Sequence, residues 1–484
     1  RSSAASDVYK RQDYGLLIEE LVQRRDEGVI IPEALIREIL RLDAKRDAWN
    51  REAIGALYDE LMRLPDDAAL AAREPNDLES IRRLRPAGPR HLNWDPSEGE
   101  LVDRLHGAWT NRAVGCALGK PVEGMGMSHE DGRCVGRRRI RRYLALRGDW
   151  PLRDYFEARD IGDPETDAWA KNARAHSRSL RSNIAYMEPD DDINYTLVGL
   201  GVIEEAGADF DWTHVAGYWT GHIPMGNICT AETQALLNFW NRWARTERGD
   251  ATADFTRRHR NPYREWIGAQ IRADGWAYVC AGQPEKAAEF AWRDAAWTHE
   301  RNGIYGEMFM AAVIAAAFVE QDPRQLTEIG LSEIPAECRL AVAIRELLEQ
   351  IGRRPDFEAC MDWVETRCDA LSPGTVHDQG RSRKGMSPVH TINNALVCVL
   401  SLFYGRMHPI EAPAVAVMCG LDTDCNGATV GSIVGATRGR RGLNSPLAER
   451  LNDEVRSTVL GFHQVTLSEL AERTARQWAR LRSS

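Results

Sequence analysis

Two short stretches carry the residue types that bind hard cations. The first, EPDDDINYTLVGLGVIEEAG from Glu188 to Gly207, sets three consecutive carboxylates, Asp190, Asp191 and Asp192, just before an amphipathic run. Tyr195, Val198, Val202 and Ile203 share one face of that run. One aspartate at a helix start is ordinary, because it accepts hydrogen bonds from unpaired N–H groups and suits the helix dipole. Three in a row repel one another, and capping cannot use them all. If enclosed, their ionised forms call for a nearby cation. A solvated capping loop and a metal site both fit this stretch taken alone.

The second stretch is MCGLDTDCNGATVGSIVGATRG, from Met418 to Gly439. Asp422 and Asp424 lie two apart, so on a regular helix their side chains diverge. They converge on one ion only if a turn before the helix holds them, and Gly420 supplies the freedom for that turn. Gly427, Gly431 and Gly435 then recur every fourth position, a smooth stripe against which a second helix can pack closely. Glycines weaken a helix by about 1 kcal/mol each relative to alanine, which points to a packing reason for keeping them. A loop with polar aspartates above a tightly packed helix is the competing reading. Neither stretch offers histidine or cysteine at zinc spacing. All-oxygen sites favour Mg²⁺, Mn²⁺ or Ca²⁺, and the charge on five aspartates is nearly balanced by two divalent ions. Such a centre can activate water for hydrolysis.

A third stretch, LHGAWTNRAVGCALGKPVEGM from Leu105 to Met125, repeats the small-residue theme at Gly107, Gly115 and Gly119 and ends in a turn presenting Glu123. By itself Glu123 reads as a surface residue as readily as a catalytic one.

The elements that must position these residues are helical. Amphipathic stripes recur at Leu16–Val22, Ile36–Leu40 and Ile54–Met62, and helical patterns at Glu289–Trp297, Gly306–Val319, Leu340–Ile351 and Asn394–Tyr404. Alternating β-branched runs are scarce, so an all-α fold is expected. The segment from Pro75 to Pro96 has the composition of a linker. It divides an N-terminal helical extension (13–96) from a catalytic domain (97–484). Residues 1–12 read as a non-native leader.

With 62 basic and 72 acidic residues, net charge −10, neither nucleic acid nor an acidic membrane is expected as partner. The basic run from Arg137 to Arg142 reads as a solvated helix face. Ten scattered cysteines suggest reduced, buried thiols and a cytoplasmic location. The apolar run from Met308 to Val319 is too short to span a bilayer and reads as core.

Taken in order, the three motifs resemble the ADP-ribosylglycohydrolase family, which includes the dinitrogenase reductase-activating glycohydrolases. GAWTNRAVGCALGKPVEG is similar to that family's glycine-rich helix closing in Glu, PDDDI to its TDDT-like segment, and GLDTDCNGATVGSIVGA to its GGDTDT helix. The stretch from Ile267 to Phe318 resembles the intervening family sequence. The resemblance implies an all-α orthogonal multi-helix bundle with a dinuclear centre of two Mg²⁺ ions, Mn²⁺ being the alternative. It implies metal ligation by Asp191, Asp192, Asp422 and Asp424, with Asp190 where the family often has Thr. It also implies catalytic roles for Glu123, Asp191 and Asp424, and an ADP-ribose pocket lined by His299 and Tyr305. Cys425 departs from the pattern's last Thr, and Asn426 or water is the substitute. The gap from Glu123 to Asp190 suggests an inserted lid or wall containing Trp150, Tyr155 and Phe156.

The implied activity is hydrolysis of an N- or O-glycosidic bond of an ADP-ribosyl group, on a protein or a small molecule. Two other readings stand beside it: a non-catalytic ADP-ribose-binding or structural member of the fold, and a hydrolase of a small ribosyl or nucleoside metabolite.

Overall fold

A glycine-to-glycine seam between two long helices organises the molecule. The computed structural model describes residues 13–42, 50–90, 92–245, 252–372, 374–378 and 381–483; the leader assigned to residues 1–12 lies outside them. The helix Glu98–Gly119 starts at Ser97, whose hydroxyl accepts from the Glu100 amide at 3.2 Å. It runs antiparallel to the helix Thr423–Leu443. At the seam no side chain intervenes. A Cβ on Gly115 would lie 1.9 Å from the Gly427 carbonyl oxygen, one on Gly431 2.1 Å from that of Asn111, and one on Gly435 2.2 Å from that of Gly107. The glycine stripes read from the sequence are therefore the two faces of a single contact. Thr423 Oγ1 closes the seam by donating to the Gly119 carbonyl at 2.9 Å.

The antiparallel arrangement has a direct consequence. The C-terminal end of the first helix, from which Glu123 follows, lies beside the N-terminal end of the second, where Asp422 and Asp424 stand.

The remaining helices wrap this pair, and the fold is all-α. The only strands among the described residues form three short two-stranded hairpins. The helix Asn302–Ala317 is buried along its whole length, which accounts for its apolar run without any membrane. Among the described residues no helix is long and apolar enough to cross a bilayer. Helices occupy the other patterned stretches as Pro284–Ala295, Arg339–Gln350 and Thr391–Tyr404.

At the N-terminal end, the three stripes form the helices Asp13–Asp26, Glu33–Arg41 and Arg51–Arg63. Leu17, Leu21, Ile39, Ile54 and Leu61 share one apolar cluster with Ala231, Tyr263 and Trp266. Buried ion pairs reinforce that contact. Arg264 meets Glu20 and Glu27, each at 2.8 Å, and Arg339 meets Glu74 at 2.8 Å and Glu265 at 2.7 Å. The Pro75–Pro96 stretch is not wholly a linker, since Asp77 caps a helix, Leu78–Leu84, within it.

The basic run lies on the helix Gly136–Arg147, where Arg137, Arg139, Arg141 and Arg142 pair with carboxylates of neighbouring segments. Eight of the ten cysteines are buried, and Cys134 and Cys229 are half-buried.

Candidate metal centre and catalytic cleft

The two aspartate clusters, more than two hundred positions apart in the chain, meet at the end of the glycine seam. Asp190 is the N-cap of the helix Asp191–Ala206, and its Oδ1 accepts from the Asp192 amide at 3.0 Å. Its other oxygen is held by the Lys120 ammonium in a close ion pair. One aspartate of the three thus does the capping, and the next two enter the first helical turn.

Asp192 is fully buried, and neither carboxylate oxygen has a hydrogen-bond partner. The Arg112 guanidinium stands 3.6 Å away, committed to Asp274 at 2.8 Å and to the Asp192 and Ile271 carbonyls. From the other cluster, Asp424 is buried with an orphaned Oδ1. Gly420 and Leu421 precede it at φ +73° and +61°, the left-handed turn expected there. A leucine in that region is strained, which loops at functional sites tolerate when the surroundings hold them. Here the Leu421 amide donates to the Gly126 carbonyl at 3.1 Å, and the Asp422 amide to Asn394 Oδ1 at 3.3 Å.

Three groups of ligand atoms gather within 4.8 Å of one another: Cys116, Asp190 and Asp192; Asp192, Asp424 and Cys425; and Glu123, Asp422 and Asp424. Asp192 and Asp424 are each shared, so the groups form a continuous string. Asp191 belongs to none of the three; half-buried, it faces the cleft.

Burial and mutual repulsion oppose ionisation of most carboxyls in and beside the string. Burial, then repulsion from Asp422, Asp191 and Asp190, pushes the Glu123 carboxyl up to about 8. Burial and the charges of Asp190 and Asp422 push Asp191 up to about 7. Asp192 and Asp424 are also held well above the usual carboxylate range, mainly by burial and then by neighbouring carboxylates. Burial opposes ionisation of Asp190 too, but Lys120 outweighs it and keeps that group low. A divalent cation supplies the positive charge that reverses such shifts. The orphaned oxygens of Asp192 and Asp424 are hard donors of the kind Mg²⁺ or Mn²⁺ takes, so these residues fit a metal. Cys116 and Cys425 fit less well, because burial keeps both thiols protonated.

The cleft beside this string has a volume of about 400 Å³. Lys120, Glu123, Asp190, Asp191, Asp422 and Cys425 lie on its acidic side, and its remaining lining includes Tyr195, Glu232, Trp266 and Gly268. Cys425 thus reaches the cleft, whereas Asn426 donates to Asn394 Oδ1 at 2.7 Å and accepts from Cys398, away from it.

His299 and Tyr305 do not line this cleft. His299 is fully buried, with Nδ1 2.8 Å from Thr298 Oγ1 and Nε2 3.9 Å from Glu232. The Tyr305 hydroxyl donates to the Pro75 carbonyl. Of the stretch between Glu123 and Asp190, only Met127 and Pro189 at its two ends line the cleft, so its middle, with Trp150, Tyr155 and Phe156, forms neither lid nor wall of it. Tyr155 and Phe156 are instead core residues. Lys120 and Glu232 were not singled out in the sequence. Lys120 lies three positions from Glu123 and could have been suspected, whereas nothing local marks Glu232.

Comparison with known proteins agrees with this architecture. No curated protein matches the chain. A solved structure described as an ADP-ribosylglycohydrolase-related protein complex is similar at a TM-score of 0.46 and 18% identity, covering 79% of this chain and 99% of that one. A likeness of that size carries no argument by itself. The model of the ADP-ribosylglycohydrolase family matches residues 97–482, from the start of the glycine helix almost to the end of the chain. By that match the chain belongs to the ADP-ribosylglycohydrolase family.

Proposed function

We propose that the protein is a metal-dependent glycohydrolase that cleaves the N- or O-glycosidic bond at the anomeric carbon of an ADP-ribosyl group. One observation carries the reading: aspartates distant in sequence converge beside an open cleft, with both oxygens of Asp192 and Oδ1 of Asp424 buried without hydrogen-bond partners. Asp190, Asp192, Asp422 and Asp424 would hold two divalent ions, Mg²⁺ or Mn²⁺, with Asp191 at the cleft edge. A bound ion would lower the pKa of water and orient ribose hydroxyls.

The chain's own residues supply the rest. Glu123, in the cleft wall, accepts a proton from the water that attacks the anomeric carbon. As the water oxygen bonds to that carbon, the bond to the leaving group breaks, and the proton passes to the departing atom. Asp191 faces the sugar and stabilises the positive charge that develops on it. Lys120 holds Asp190 in place. The products are ADP-ribose and the free acceptor group. The test is a panel of ADP-ribosylated substrates assayed with and without Mg²⁺. Metal-dependent release of ADP-ribose supports the reading, and metal binding without turnover on any member overturns it.

A second reading, hydrolysis of a small ribosyl or nucleoside compound, is favoured by one observation. Lys120 is the sole cationic side chain among the described lining residues, and Asp190 engages it. The same panel, extended to nucleosides, separates the two.

A further inference from the structure

Glu232 stands in the first turn of the helix Thr230–Arg245 and lines the cleft, yet it is fully buried. Its Oε1 accepts from Arg272 Nη1 at 2.6 Å. Its Oε2 has no hydrogen-bond partner. The same guanidinium also meets Asp294 at 2.8 Å and Glu307 at 3.5 Å, so three buried carboxylates face one cation. His299 adds no charge, since burial, then Arg272, holds its imidazole well below its ordinary range. Glu232 belongs to none of the three metal-ligand groups. Asp294 Oδ1 and Glu307 Oε1 are likewise without partners, but of these three carboxylates only Glu232 lines the cleft.

The wall around it fixes the carboxylate in place. Gly268, also in the cleft lining, rests its main chain directly on the carboxylate. A Cβ there would sit 2.4 Å from Oε1 and 2.7 Å from Oε2. Any side chain at 268 would force the carboxylate from its place. Thr230, another lining residue, is held at φ +34°, a conformation that a β-branched residue adopts only under constraint. Tyr195 lines the cleft as well, and its hydroxyl accepts from the Cys229 amide at 3.1 Å. The cleft therefore has two acidic features of different kind: a string that fits cations, and a single buried acceptor away from it.

We propose that Glu232 is a specificity-determining residue, whose Oε2 accepts a hydrogen bond from a neutral or cationic O–H or N–H group of the substrate. The group belongs to the sugar-hydroxyl or amine class, and phosphate is excluded from that part of the cleft. This rests on the ribosyl-substrate reading above. It adds that the substrate is recognised there through donors rather than through its charge.

The test uses the full chain with Glu232→Gln, which preserves shape and the acceptor toward Arg272 but turns an N–H₂ toward the cleft. Affinities for ADP-ribose, ribose and adenosine are measured by calorimetry in excess Mg²⁺, and Mg²⁺ alone is titrated as the control. Every ligand that reaches Glu232 with a donor binds the variant about tenfold or more weakly, while affinity for Mg²⁺ and the thermal midpoint do not fall. Glu232→Ala, which removes the acceptor without supplying a donor, gives the same loss and guards against a misfolded first variant. If the wild-type protein binds any of the three ligands and both variants bind it equally well, the inference is overturned and the ribosyl reading stands. If the wild-type protein binds none of them, the ribosyl reading fails and the inference with it. Weakened Mg²⁺ binding in the Gln variant would also overturn it, by making Glu232 part of the metal centre.

Discussion

Replacing Gly115 by alanine tests the seam that assembles the site. In an exposed helix the change stabilises by up to about 1 kcal/mol, because glycine is the poorer helix former. At Gly115 the new Cβ would lie 1.9 Å from the Gly427 carbonyl oxygen and 2.4 Å from its carbon. Real Cβ contacts essentially never fall under 3.0 Å, so the two backbones must part by at least about 1.1 Å. Both colliding groups are main chain, and no rotamer can relieve them. Overpacking of this kind costs about 1–3 kcal/mol, and a rigid seam belongs at the upper end. The net expectation is about 2 kcal/mol of destabilisation. The control is Gly217→Ala in the helix Trp212–His222, where nothing lies within 4 Å of the added methyl; it is stabilised by about 0.5–1 kcal/mol. Denaturant midpoints measure both, and Mg²⁺ calorimetry follows the site. Because Glu123 and Asp424 hang from opposite sides of the seam's end, Gly115→Ala also weakens Mg²⁺ binding, whereas Gly217→Ala does not. If Gly115→Ala matched Gly217→Ala in stability and left metal binding intact, the account of how the site is assembled would be wrong.

Other outcomes follow from the same structure. Asp424→Asn removes a buried carboxylate that its neighbours repel, so the metal-free variant melts higher than wild type at pH 8 while losing turnover and most of its stabilisation by Mg²⁺; a lower metal-free melting point would refute this. Glu123 and Asp191 have folded-state values raised to about 8 and about 7. A raised carboxyl contributes stability that is present below its ordinary value near 4 and is lost as pH rises through the folded value. Without metal the melting point therefore falls between pH 5 and pH 8.5, and the gain on adding Mg²⁺ widens over the same window; a gain independent of pH contradicts the assignment. Arg264→Met strands the buried carboxylates of Glu20 and Glu27, and removing one partner of such a network costs about 3–5 kcal/mol. Protease cleavage within residues 13–74 should become fast in that variant, and resistance equal to wild type would show that the network does not hold the N-terminal helices down.

The chain's local chemistry already declared much of this. Apolar spacing marked the helices, and glycines at every fourth position announced a close helix contact. Gly420 signalled the turn that lets Asp422 and Asp424 converge. Those features are legible because each depends on residues within a turn or two of one another. Which helix the glycine stripe would meet was not local information. Only packing showed that Gly107, Gly115 and Gly119 face Gly435, Gly427 and Thr423, and that the antiparallel sense brings Glu123 to the aspartates.

Tertiary structure alone decided the rest. Lys120 reaches Asp190 because the helix end aims it there, and His299 and Tyr305 are core residues outside the cleft lining, one beside Thr298 and Glu232, the other bonded to the Pro75 carbonyl. The long segment between Glu123 and Asp190 has aromatic residues that suit a roof as well as a core, and burial settled that Tyr155 and Phe156 are core. Glu232 had no motif at all. Its character comes from Arg272, Gly268 and His299, each distant in the chain, and from one oxygen they leave unmatched. Sequence states which groups are available. The energy of a buried charge depends on what surrounds it in three dimensions, and that only the fold supplies.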